Sequence, residues 1–145
     1  MEKKTTENKN TQKIAKKTDS GRKTAASQEA SRDHRFAVEA ARIADERHCR
    51  DIVLLDLREI SPATDFFLIA TGTSDRQGRT VADEILMLAK KEYNLHCFGK
   101  AGYEQGQWIL LDFVSVVVHI FNDKYRDFYN LEMLWADAPK LTIDD

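Results

Sequence analysis

The sequence predicts an α/β domain, a mixed sheet of about five strands with helices packed on it. Two observations carry this. Apolar, β-branched runs recur at 51–56, 65–72, 108–112 and 115–121, as strands require. Two other segments, 31–49 and 74–91, repeat their apolar residues every three to four positions, the spacing of a helix face. Strands interleaved with helices in 145 residues give one layered domain around one core.

The elements follow in chain order. Residues 31–49 form the first helix, with Phe36, Ala40, Ile43 and Ala44 as its stripe and Ser31 or Asp33 as its cap. Residues 51–56 are a buried strand. Ser61-Pro62 breaks the chain, and 65–72 is a second strand that ends on Gly72. In the second helix, Ser74 and Gln77 make a capping box, Val81, Ile85, Leu88 and Ala89 make the stripe, and Asn94 supplies the stop. A short strand is expected at 96–98, then a glycine-rich loop at 99–106. Residues 108–112 and 115–121 should pair as an antiparallel hairpin. Residues 123–135 are aromatic at helical spacing and should form one or two short helices, with Phe128 and Leu134 in the core.

Charge divides the chain. Residues 1–35 hold ten Lys/Arg against five Asp/Glu, a net of +5, while the remainder carries −7. Residues 1–31 have almost no large apolar side chain, so they read as a disordered basic tail. The folded domain then spans 32–140, and 141–145 is a loose end. No apolar h-region follows the N-terminal lysines, and no run approaches a membrane span. A cytoplasmic protein with two reduced thiols, Cys49 and Cys97, is the expectation.

Tests for chemistry mostly fail. His48-Cys49 and His96-Cys97 have the composition of a zinc site but not its spacing, because paired zinc ligands are normally separated by other residues, and His96 and Cys97, as neighbours on a strand, would point to opposite faces. No Gly-x-Ser-x-Gly elbow is present, and no nucleophile is set beside His119, which reads as a hydrogen-bonded strand histidine at the core edge. The turn from Gly72 to Ser74 lies between a strand and a helix N-terminus, a place suited to an anion. It resembles the glycine-serine entry of nucleotidyltransferases. Those enzymes need two acids to hold metal ions, and after Asp112 come Phe113, Val114 and Ser115. A nucleotidyltransferase acting on a small acceptor is therefore the alternative reading, and no enzymatic activity the preferred one.

Three stretches carry a family resemblance: Asp65-Phe-Phe-Leu-Ile-Ala-Thr-Gly-Thr-Ser74; Trp108-Ile-Leu-Leu-Asp112 leading into Val116-Val-Val-His-Ile120; and Phe128-Tyr-Asn-Leu-Glu-Met-Leu-Trp-Ala-Asp-Ala-Pro139. In this order they resemble the Iojap-like ribosomal silencing factors. Ser115 departs from the pattern, where an acid is usual, as does Pro62, where a small residue is usual. The resemblance implies a nucleotidyltransferase-like fold without catalytic metal ligands and with no cofactor. It implies a translational repressor that binds the large ribosomal subunit through ribosomal protein fourteen and so blocks the small subunit. It also implies homodimers.

Trp108, Tyr129 and Trp135 are amphipathic side chains of the kind enriched at interface centres. With Leu131 and the acids Asp112 and Glu132, they form the partner-binding set that the resemblance implies, suited to a basic ribosomal protein. The basic tail is expected to add only weak, salt-sensitive contacts to ribosomal RNA phosphates.

Overall fold

The computed structural model describes residues 25–143, without the side chains of Asp127, Phe128, Tyr129 and Glu132. Two compact units divide after Arg32. Of the first, the helical residues 25–32 are described; the second, from Asp33 onward, holds the sheet.

Helix α1 runs Ala25–Glu46. It begins six residues before the expected start, so residues 25–31 are helical and not part of a disordered tail. The alanines at 25, 26 and 30 are the best helix formers, and they outweigh the lack of large apolar residues. Ser31 and Asp33 consequently lie inside the helix and do not cap it. Residues 1–24 of the expected tail lie outside the described residues. The helix ends in a Schellman turn: His48 takes φ 67°, and the Cys49 amide donates to the Ala44 carbonyl at 2.9 Å.

Five strands, β1 (Arg50–Asp56), β2 (Phe66–Gly72), β3 (Gly99–Ala101), β4 (Trp108–Asp112) and β5 (Val116–Asn122), form one mixed sheet in the order β1-β2-β5-β4-β3. Strands β1 and β2 are antiparallel, whereas β2 and β5 are parallel. Helix α2 (Asp75–Glu92) belongs to the crossover between them. Strand β4 pairs antiparallel with β5, as the hairpin expectation has it.

The edge strand β3 is Gly99–Ala101, not 96–98. Its register against β4, Gly99 opposite Asp112 and Ala101 opposite Leu110, decides its place. Intrinsic preference for the apolar 96–98 is a weak guide at a sheet edge. The fold also does not end at residue 140. The Asp56 amide donates to the Pro139 carbonyl and the Leu141 amide to the Leu54 carbonyl, both at 2.8 Å, so the C-terminal segment covers the outer edge of β1. Leu141 and Ile143 pack on the core rather than forming a loose end; residues 144–145 lie outside the described residues.

Two apolar layers sandwich the sheet. The larger joins Phe36, Ala40 and Ala44 of α1 and Val81 and Ile85 of α2 to Leu68, Leu111 and Val118 of the sheet. The smaller lies on the other face: Leu55, Leu57, Ile69, Phe121 and Ala138. Helix α3 (Asp123–Tyr129) and the single turn α4 (Leu131–Leu134) follow β5, as two short helices. Leu134 is 73% exposed and Met133 72%, so Leu134 is not core. A four-residue helix after the left-handed Asn130 has no room to turn every apolar position inward. Phe128 lies outside the described side chains.

Candidate functional site

Strand alternation sends Phe67, Ile69, Trp108, Leu110, Asp112, Val117, His119 and Phe121 to the sheet face opposite α1 and α2. Ile69, His119 and Phe121 are buried there, but Phe67, Trp108, Leu110, Asp112 and Val117 are all only half-buried. This side of the sheet therefore carries a half-exposed apolar stripe that ends on a carboxylate.

An aromatic cluster sets the stripe. The Trp108 ring stacks on Phe121 with centroids 5.0 Å apart, and its Nε1–H donates to Nδ1 of His119 at 3.1 Å. His119 is 4% exposed, with Phe67 at 4.7 Å on another side. Because Nδ1 accepts, the ring proton sits on Nε2, which is buried without a partner among the described residues. Burial pushes the His119 pKa down to about 4, with Asp112 pulling weakly the other way, so the ring is neutral near pH 7. Trp135, just past α4, meets Phe67 edge-on at 5.9 Å.

The structure brings together most of the expected partner-binding residues whose side chains are described. Trp108 and Trp135 both touch the Phe67–His119 cluster, and Leu131 packs half-buried against the smaller apolar layer. Asp112 stands at the end of β4, where its Oδ1 accepts the Val114 amide at 2.7 Å. Tyr129 and Glu132 have side chains outside the described residues. Sequence reasoning missed Phe67, Leu110 and Val117. Residues 66–70 are apolar without a break, so the period-2 signal of the strand is hidden, and Phe67 reads as core. The usable signal was elsewhere: Leu110 and Val117 stand two positions from Trp108 and His119, hence on the same face.

The Gly72–Ser74 turn holds the expected helix cap, with one bond of the box shifted. Ser74 caps α2, accepting the Gln77 amide at 3.1 Å. The return bond of the box reaches one residue further out, to the Thr73 amide, and Gln77 also bonds the Arg47 carbonyl. The Thr73 amide is thereby spent inside the protein. The two His-Cys pairs point apart as well: His48 is exposed in its left-handed turn while Cys49 is buried. Among the described residues no group of three or more His, Cys, Asp or Glu is placed to hold a metal ion.

The sequence profile described as ribosomal silencing factor during starvation matches residues 28–145. The chain belongs to this family of ribosomal silencing factors. It is 40% identical over 105 residues to the ribosomal silencing factor of Bacillus subtilis, covering 72% of this chain and 88% of that one. It is 38% identical to that of Halalkalibacterium halodurans, covering 72% and 89%. A crystal structure of a Bacillus halodurans protein matches with a TM-score of 0.63 and 36% identity, over 79% of this chain and 98% of that one. The silencing-factor match takes in the whole half-exposed stripe and leaves out residues 1–27 with their lysines.

Proposed function

We propose that this silencing factor represses translation by binding the large ribosomal subunit through ribosomal protein fourteen, so that the small subunit cannot join. The carrying observation is the stripe of Phe67, Trp108, Leu110, Val117 and Trp135, which leaves large apolar side chains half in water beside Asp112. Such an arrangement suits a protein partner: aromatic anchors supply the affinity, and the acid favours a basic surface. The names of the relatives point to the ribosome as the place where that partner is found.

The protein acts in the cytoplasm, without a cofactor and without catalysing a reaction. The absence of a catalytic role fits Asp112, whose Oδ1 accepts the Val114 amide in the β4–β5 turn. Sedimentation tests the reading. The protein should travel with free large subunits and shrink the peak of joined ribosomes. Migration with small subunits alone, or with neither, defeats it.

A further inference from the structure

His119 occupies a position where an apolar side chain would be the simpler choice. Its ring is 4% exposed, lies between Phe67 and Trp108, and is nearly parallel to Phe121. One nitrogen, Nε2, is buried with no hydrogen-bond partner among the described residues. An unmet buried donor is unfavourable, and Leu or Phe there would avoid it. What His alone supplies is Nδ1, the acceptor for the Trp108 indole at 3.1 Å.

That bond matters for the surface rather than the core. Trp108 is half-buried, so water is close enough to serve its N–H if His119 were lost. Stacking on Phe121 sets the plane of the indole, and the bond to Nδ1 sets its rotation within that plane. Together they hold one face of Trp108 ready on the stripe. A side chain ordered before association does not have to be ordered during it.

We propose that His119 is a positioning residue of the docking face: from inside the sheet it fixes the Trp108 indole in the orientation that the ribosomal partner meets. This rests on the docking reading above. It predicts a separation of effects. His119→Leu deletes the acceptor together with the unmet donor, so the fold keeps or gains stability while binding falls. His119→Asn returns an oxygen near the Nδ1 position and should rescue binding.

The experiment has two arms. In the free full-length protein, NMR follows the indole N–H resonances of the two tryptophans, assigned with Trp135→Phe. The Trp108 proton should be protected from solvent exchange in wild type and His119→Asn and exchange freely in His119→Leu. In the second arm, affinity for purified large subunits should weaken about three- to tenfold in His119→Leu, the cost of ordering one large side chain on binding, and stay near wild type in His119→Asn. Undiminished protection in His119→Leu overturns the proposal, as does undiminished binding. Loss of binding together with a lowered melting temperature also overturns it, since that marks a structural role. The NMR arm reads the protein alone, so it decides the positioning claim even if wild type fails to bind, a result that would sink the docking reading instead.

Discussion

Gly102 lies directly beneath the backbone of Trp108: a Cβ built on it would stand 1.9 Å from the Trp108 carbonyl oxygen. Gly102 also has φ 74°, which glycine adopts freely and other residues do not. Space and backbone both demand glycine, and the residue displaced by any substitution carries the indole proposed to dock. Gly102→Ala should destabilise the protein by about 3 kcal/mol and weaken large-subunit binding as well. Denaturant unfolding reads the first effect and co-sedimentation the second. A variant as stable as wild type would show that the loop gives way cheaply.

Val114 is the converse case. It has φ 74° at the centre of a turn in which the Ser115 amide donates to the Phe113 carbonyl at 3.0 Å. A β-branched residue is strained there. The side chain is 51% exposed, so little packing is lost with it. Val114→Gly should raise stability by about 1 kcal/mol, the relief of left-handed strain exceeding the added freedom of the unfolded chain. For a protein of this length that is a rise of about 3 °C in melting temperature. An unchanged or lower value would argue against the strain.

The buried His119 makes stability depend on pH in a fixed direction. Its pKa is about 4 when folded against 6.5 as the ordinary value. Between these two the unfolded chain binds the extra proton and the folded one does not, so acid favours unfolding. The contribution is whole above pH 6.5 and is lost as pH falls toward 4, with a slope of at most about 1.4 kcal/mol per pH unit. Stability measured by urea at a series of pH values should show this slope in wild type and lose it in His119→Leu. Equal slopes in both proteins would mean that His119 is solvated.

Leu110 offers the cleanest test of the surface. It is half-buried on the stripe, so an arginine there can reach water with its charged end. Leu110→Arg should leave the melting temperature within about 3 °C of wild type and weaken large-subunit binding at least about tenfold. The same substitution at Lys100, which pairs with Leu111 and so follows the other face, should change neither. Equal affinity for all three proteins would remove the stripe from the interface.

How far the sequence could be read follows from these particulars. The helices announced themselves through periodic stripes, and α2 began at the cap that Ser74 and Gln77 suggested, with the return bond shifted to Thr73. The hairpin of β4 and β5 was legible because a short turn joins two apolar runs. The parallel pairing of β2 with β5 was not, since nothing local in either strand records a neighbour fifty residues away. For the same reason β3 was misplaced: its position depends on Asp112 and Leu110 across the ladder. Trp108 and Trp135 were found through residue type and family resemblance. Phe67 was missed because its partners, His119 and Trp135, come from distant parts of the chain.

The central claim is that this surface, once on the large subunit, excludes the small one. Light scattering during the mixing of purified subunits measures that directly. Large subunits pre-incubated with a saturating amount of the wild-type protein should lose most of the scattering rise that marks joining, and Leu110→Arg at the same concentration should restore it. A full rise with wild-type protein bound would contradict the account.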